Sequence, residues 1–106
     1  MIEIQFKNAQ LKGILRIVDK ILYFKYQDST QAQQIIKELE RKGAIIEKSK
    51  TGDWIRVDIF KDYESVKLSE EVTIDFTESD YESKIADFYI NNYKKAGFVV
   101  DVIWLQ

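Results

Sequence analysis

The stretch that most constrains the fold is LKGILRIVDKILYFKYQ, residues 11–27. It contains two runs rich in β-branched and aromatic residues, which favour extended strands. The dipeptide Asp19-Lys20 separates the runs and predicts a two-residue hairpin turn, although Asn-Gly would be a stronger signal. Residues directly opposite each other in a hairpin share one face of the sheet. This register predicts two inward pairs, Leu15 with Phe24 and Ile17 with Leu22, and one outward pair, Arg16 with Tyr23.

Further strands are expected on both sides of this hairpin. Ile2, Ile4 and Phe6 alternate with polar residues, which is typical of a strand with one buried face. Residues 66–76 predict one broken strand or two short ones. Residues 98–105 are apolar on both faces apart from Asp101, which predicts a central strand covered on both sides. Residues 44–50 and 53–60 flank Thr51-Gly52 and predict a second hairpin, with Ile46 opposite Val57 and Glu47 opposite Arg56.

Two helices complete the expected fold. Apolar residues at helical spacing predict a helix over residues 30–42 before Gly43, and a second helix that ends near residue 95 before Gly97. Ser79 and Glu82 have the spacing of a capping box at the start of the second helix. The order βββαβββαβ predicts a single α+β domain over residues 1–106, with a mixed or antiparallel sheet of about six or seven strands. A similarity between residues 39–46 and 93–100 suggests a ferredoxin-like split βαβ core with an extra N-terminal hairpin, although such helix-to-strand junctions are also common in general.

The composition excludes several kinds of chemistry. The 106 residues include no cysteine and no histidine, which rules out disulfides, zinc knuckles, thiol nucleophiles and the commonest general base. The four glycines form no phosphate-binding motif. No acidic cluster has the spacing of a known metal site or catalytic pair. We therefore expect no enzyme activity, no cofactor and no metal.

The sequence also gives expectations about source and location. The first residues, MIEIQFKN, lack the basic start and apolar core of a signal peptide, and the longest apolar runs have four residues. Thirteen lysines against three arginines, fifteen isoleucines and no proline indicate AT-rich codons. We expect a cytoplasmic protein of a low-GC bacterium, its phage or its mobile elements, without membrane contact.

The acidic residues are concentrated in one stretch. The net charge is −2, but residues 1–50 carry +4, residues 51–106 carry −6 and residues 58–87 carry −7. Such a stretch is simply solvated, or it binds a basic protein partner through complementary potential, or it imitates nucleic-acid phosphates in front of a nucleic-acid-binding protein. The last two interpretations predict a small non-catalytic inhibitor or accessory factor of the anti-CRISPR or anti-restriction type. Its partner-binding acidic surface would comprise Asp58, Asp62, Glu64, Glu70, Glu71, Asp75 and Glu78.

An alternative function involves the outward face of the first hairpin. Arg16, Tyr23 and Lys25 share this face, and cations beside an aromatic ring suit single-stranded nucleic acid. The overall negative charge argues against this alternative, because nucleic-acid-binding domains tend to be basic. A solvated hairpin face with a tyrosine packed on an arginine stem would give the same pattern.

The last strand predicts an apolar interface. Val99, Ile103 and Leu105 point to the face opposite the expected helices, where polar residues would be typical of a sheet exposed to water. This pattern predicts burial in a homodimer or against a partner. A strongly curled sheet that closes over itself would bury the same residues within one chain.

Overall fold

The protein is described by a computed structural model over residues 1–9, 11–27, 29–41, 46–48, 54–58, 60 and 62–104. The element order is βββαββββαβ. The strands are β1 (Ile2–Lys7), β2 (Lys12–Val18), β3 (Ile21–Tyr26), β4 (Ile46–Lys48), β5 (Ile55–Val57), β6 (Ser65–Lys67), β7 (Thr73–Asp75) and β8 (Val99–Trp104). The helices are α1 (Ser29–Arg41) and α2 (Tyr81–Lys95).

The first hairpin forms in the predicted register. Leu15 lies opposite Phe24, Ile17 opposite Leu22 and Arg16 opposite Tyr23. Asp19 has a φ of 53°, the left-handed conformation that a tight hairpin turn requires. The second hairpin is also confirmed in its described part, with Ile46 opposite Val57 and Glu47 opposite Arg56. Its turn, Thr51-Gly52, lies outside the described residues.

The described strands form two sheets. A six-stranded sheet has the order β4-β5-β3-β2-β1-β8, and β6 pairs with β7 in a separate hairpin. The α+β class and the number of strands in the main sheet are therefore confirmed. Residues 66–76 contain two short strands rather than one broken strand, which confirms the second of the two predictions for this segment. The ferredoxin-like core is not confirmed. β5 lies between β3 and β4 and pairs antiparallel with both, as in a split βαβ unit. However, β1 and β2 separate β3 from β8, and β7, the strand before α2, pairs with β6 outside the main sheet.

The prediction of a central last strand was wrong. In the described part of the chain β8 pairs with β1 alone and lies at one edge of the six-stranded sheet. Val99 is 60% exposed and Trp104 is 65% exposed, so the strand is not covered on both faces. The apolar residues of a strand indicate which side chains favour burial, but they do not indicate which strands lie beside it in the sheet.

The core lies between the main sheet and the helices. Helix α2 packs on β1, β2 and β8, and α1 packs on β3 and β4. Alternate residues of the strands point toward these helices and are almost fully buried, including Ile4, Leu15, Ile17 and Val57. Each such side chain contributes about 1.5–3 kcal/mol through burial, which is why the alternating pattern dominates the fold.

The two ends of α2 differ in how well they were predicted. Gly97 has a φ of +90°, and the N–H groups of Gly97 and Phe98 donate to the carbonyls of Lys94 and Tyr93 at 3.1 and 2.9 Å, which form a Schellman motif. At the other end Asp80 occupies the N-cap without a side-chain capping bond. The predicted capping box is therefore wrong. The Glu82 carboxylate instead accepts a hydrogen bond from the backbone N–H of Asp19 at 3.1 Å.

Candidate binding surfaces

The main sheet has a second face that the helices do not cover, here called the outer face. The register of β1, β2, β3, β5 and β8 assigns to it every residue that alternates with the buried ones. It holds two aromatic side chains, several aliphatic ones and a mixture of charges. Its described members are Glu3, Gln5, Lys7, Lys12, Ile14, Arg16, Val18, Ile21, Tyr23, Lys25, Trp54, Arg56, Asp58, Val99, Asp101 and Ile103.

Trp54 contacts two cations on the outer face. The Arg16 guanidinium carbon lies 4.6 Å from the centroid of its ring, and the Lys25 ammonium lies 5.6 Å from it. Contacts of this kind stabilise by about 0.5–1 kcal/mol where they are exposed. The predicted residues Arg16 and Lys25 are thus brought together, and Trp54 joins them from the position just before β5, which lies two strands away from β2 in the sheet. Tyr23 lies directly opposite Arg16.

Trp54 was not among the predicted site residues. The signal was its position two residues before Arg56 in the second hairpin, because alternation puts both side chains on one face. The pairing of β3 with β5, which brings this residue beside the first hairpin, is not a neighbouring pair in sequence and could not be predicted from turn signals.

Glu3 orients Arg16. The Arg16 Nε donates to Glu3 Oε1 at 2.7 Å, and the Gln5 amide donates to Glu3 Oε2 at 3.0 Å. Glu3 is only 7% exposed. The hydrogen bond from Arg16, followed by the one from Gln5, lowers the pKa of Glu3 below its usual range. The carboxylate therefore stays ionised, holds the guanidinium in place and offsets its charge.

The outer face is electrostatically mixed. Five described basic side chains, of Lys7, Lys12, Arg16, Lys25 and Arg56, lie on it with three carboxylates, of Glu3, Asp58 and Asp101. Arg56 forms an ion pair with Asp58 at 3.8 Å. The face therefore lacks the uniformly basic character that favours binding of a phosphate backbone.

The predicted acidic surface is distributed over several elements. Asp58 lies on the outer face, Asp62 and Glu64 precede β6, Glu70 and Glu71 lie in the turn between β6 and β7, and Asp75 and Glu78 lie at and after the end of β7. Among the described residues, three of the seven form ion pairs within the chain: Asp58 with Arg56, Glu70 with Lys67 at 3.3 Å, and Glu78 with Lys84.

Asp75 has a local structural role. Its Oδ1 accepts hydrogen bonds from the Thr77 hydroxyl at 2.7 Å and from the Thr77 N–H at 2.9 Å. These bonds, the hydroxyl first, lower the pKa of the Asp75 carboxyl. The carboxylate shapes the turn that leads into α2.

Glu70 and Glu71 border a groove between the β6–β7 turn and α2. The groove has a volume of about 610 Å³, and α2 contributes Lys84, Asp87 and Phe88 to its wall. Two lysines and three carboxylates line it, so its charge is mixed rather than uniformly acidic. Among the described residues, no group of three or more carboxylates is arranged to hold a metal ion.

The predicted apolar interface is partly described. Val99 is 60% exposed and Ile103 is 38% exposed, both on β8, and Leu105 lies outside the described residues. Trp104 lies opposite the buried Ile2 and therefore on the helix side of β8, but it is 65% exposed because it lies at the end of the edge strand. No helix in the described part of the chain is long and apolar enough to cross a membrane.

The comparisons with known proteins give no further guidance. The chain matches no family model, no curated protein and no solved structure.

Proposed function

We propose that this chain is a non-catalytic binding protein that engages a protein partner through the outer face around Trp54. The observation that carries this proposal is the cluster in which Trp54 packs against Arg16 and Lys25, beside Tyr23. Tryptophan, tyrosine and arginine are the residues that contribute most to protein–protein binding energy, especially near the centre of an interface. Here they lie on an open sheet face.

The surroundings of the cluster also favour a protein partner. Ile14, Val18 and Ile21 lie on the same face and are only partly buried. Aliphatic side chains around aromatic and arginine anchors, with charges at the margin, are typical of a protein interface. The ionised carboxylates of Glu3 and Asp101 would repel a nucleic-acid phosphate approaching the same face.

We infer the biological class from size, composition and charge. A small acidic chain with AT-rich codon usage suits an inhibitor or accessory factor of a phage or mobile element in a low-GC bacterium, acting in the host cytoplasm. An anti-CRISPR or anti-restriction role belongs to this class. Binding over a flat sheet face needs neither a cofactor nor a catalytic group, and the proposal includes none.

Site-specific cross-linking in the producing cell tests the proposed surface. A photoreactive residue replaces Tyr23 on the outer face, and a matched variant carries it at Lys94 on α2, which is exposed on the far side of the sheet. We expect one protein to be captured through position 23 and not through position 94. Capture through position 94 alone, or nucleic acid captured at position 23, would overturn the proposal.

Single-stranded nucleic acid is the second candidate ligand, and the placement of Lys25 and Arg16 over Trp54 favours it. Labelled oligonucleotides are titrated onto wild type and onto the Arg16→Ala/Lys25→Ala variant. Binding that weakens steeply with salt and is lost in the variant supports this candidate, because neutralised phosphates release counterions. No binding at low salt eliminates it.

A further inference from the structure

The two edges of the main sheet differ in how they are protected. In its described part the edge strand β4 has three residues, Ile-Glu-Lys, of which two are charged. The edge strand β8 has six residues, VVDVIW, with one charge and no lysine or proline. Short, charged edges resist pairing with other chains, whereas long apolar edges act as templates for it. The outer edge of β8 therefore lacks the usual protection.

The side chains of β8 are exposed where a neighbouring strand would contact them. Val99 is 60% exposed, Ile103 is 38% exposed and Trp104 is 65% exposed, although all three have high β-propensity. Within the described part of the chain, β1 is the only strand hydrogen-bonded to β8. An added strand would satisfy the free backbone groups and cover these side chains at once.

We propose that the added strand is β8 of a second copy, paired antiparallel across a two-fold axis at Val102. A strand of this composition is its own complement, and a two-fold interface uses the same patch twice. The axis is perpendicular to the sheet, so the helices of both copies lie on one side and the two sheets form one sheet of twelve strands. Opposite pairs are then Val102 with Val102, Val100 with Trp104, and Asp101 with Ile103.

Two registers overlap five of the six residues of β8, with the axis at residue 101 or at residue 102, and the single charge on the strand favours the second. Residues directly opposite each other in an antiparallel pair have Cβ atoms about 4.5–5.5 Å apart, and like charges there are destabilising. An axis at residue 101 would put the two Asp101 carboxylates in that position. An axis at residue 102 moves each Asp101 opposite Ile103 and places each Trp104 over Val100, which is partly exposed on the helix side.

The dimer is expected to dissociate on dilution. The interface consists of one six-residue strand from each copy, and interfaces at the small end of the size range are weak. It leaves the outer face around Trp54 open, because that cluster lies on or next to β5, β3 and β2 rather than on the shared edge. The dimer and the proposed function can therefore fail independently.

Sedimentation with paired charge variants tests both the dimer and its register. We expect wild type to reach twice the chain mass as concentration rises. Ile103→Glu places a carboxylate opposite Asp101 of the second copy and abolishes the dimer. Adding Asp101→Lys to that variant places opposite charges together and restores the dimer. A wild type that stays monomeric at its solubility limit, or a dimer that Ile103→Glu leaves intact, overturns the proposal.

Tryptophan emission gives a second measurement that leaves β8 unaltered. The chain has two tryptophans, so the Trp54→Phe variant reports Trp104 alone. Burial of Trp104 against Val100 of the second copy should shift its emission to the blue over the concentration range in which the mass doubles. This result stands even if Ile103→Glu unfolds, since Glu3 lies opposite Ile103 within the chain. An emission maximum that does not move with concentration contradicts the proposed pairing.

Discussion

Gly13 on β2 has no side chain, and this leaves room for the ring of Phe6. A Cβ at this position would lie 2.4 Å from Phe6 Cζ and 2.7 Å from Phe6 Cε2. The Phe6 ring is buried and stacks on Tyr93 with 4.1 Å between centroids, so it has little room to move. We expect Gly13→Ala to lower the free energy of unfolding by about 1–3 kcal/mol, as overpacked cores do, in denaturant titrations.

The control for this prediction is the same substitution in a Phe6→Leu background. Leucine lacks the ring atoms that meet the new methyl group, so Gly13→Ala should cost less there. Residues in contact show such non-additive effects, whereas independent residues do not. An equal cost in both backgrounds would mean that the close approach of Phe6 does not explain the glycine.

Glu3 makes the stability of the sheet depend on pH in the acidic range. Hydrogen bonds from Arg16 and Gln5 lower the pKa of Glu3 in the folded state. The contribution of Glu3 to the free energy of unfolding is therefore present above the ordinary glutamate pKa of about 4.3 and is lost as the pH falls below it. We expect Glu3→Gln to be less stable than wild type at neutral pH. The difference should shrink steadily as the pH of the thermal or denaturant titration is lowered below about 4.3.

An exposed glutamate provides the matched control for Glu3. Glu64→Gln removes a carboxylate from an exposed position, and surface changes of this kind usually alter stability by less than about 0.5 kcal/mol. A Glu3→Gln protein whose stability follows that of wild type at every pH would show that the Glu3–Arg16 pair contributes nothing to the fold.

Among the elements, α2 is held to the sheet by an aromatic cluster that contains partly buried tyrosines. Tyr89 packs on Phe24, with 6.3 Å between centroids, and burial raises the Tyr89 pKa to about 12. Burial, followed by the proximity of Tyr89, also raises the Tyr26 pKa. The stabilisation that these tyrosines provide is therefore present below the ordinary tyrosine pKa of about 10, and it is lost as the pH rises through their folded-state pKa values.

Alkaline unfolding tests this packing of α2. We expect phenolate absorbance from Tyr26 and Tyr89 to appear together with the loss of helical circular dichroism. Tyr26→Phe should move that transition to higher pH, because it removes one ionisable group from the core. Tyr63→Phe, at a position that is 54% exposed, is the control and should leave the transition in place. Ionisation of the Tyr26 and Tyr89 phenols without unfolding would contradict the account of the cluster.

The two hairpins were predictable because their turns fix the register. Once Asp19-Lys20 is the turn, the period-two pattern leaves a single arrangement in which Leu15 and Phe24 are buried together. The same reasoning gave Glu47 opposite Arg56. The Schellman end of α2 was predictable as well, since Gly97 needs a positive φ there.

Pairings between distant segments were not predictable. The β3–β5 contact, which brings Trp54 to Arg16, and the position of β8 at an edge both join residues far apart in sequence. No turn fixes such pairings, and hydrophobicity alone cannot distinguish an exposed edge strand from a central one. The capping box failed for a related reason, because the Glu82 carboxylate binds the distant Asp19 N–H instead of its own helix end.

For the molecule as a whole, we predict that the acidic stretch, residues 58–87, affects the rate of association with a basic partner rather than the stability of the fold. The Glu70 side chain is 94% exposed, and its ion pair with Lys67 is worth about 0–1 kcal/mol. Glu70→Lys/Glu71→Lys changes the net charge from −2 to +2. With a basic partner we expect slower association at low salt and an unchanged dissociation rate, measured by surface plasmon resonance.

Salt provides the control for this charge reversal. The two association rates should converge as ionic strength rises, because the Debye length falls to about 3 Å at 1 M salt. The association rate of the Glu70→Gln/Glu71→Gln variant, which removes charge without reversing it, should lie between those of wild type and the Glu70→Lys/Glu71→Lys variant. Identical association rates at low salt would show that the acidic stretch is only solvated.

The two tryptophans provide the sharpest test of whether the outer face around Trp54 binds a protein partner. Trp54 directly precedes β5 and Trp104 ends β8, and these strands are four positions apart, a separation of about 19 Å across the sheet. The measurement is the dissociation constant of the captured partner for wild type, Trp54→Ala and Trp104→Ala, each shown to be folded. We expect a weakening of about 30-fold or more for Trp54→Ala and almost none for Trp104→Ala, since truncating a central anchor costs about 2 kcal/mol or more. Wild-type affinity in folded Trp54→Ala would contradict the proposed binding surface.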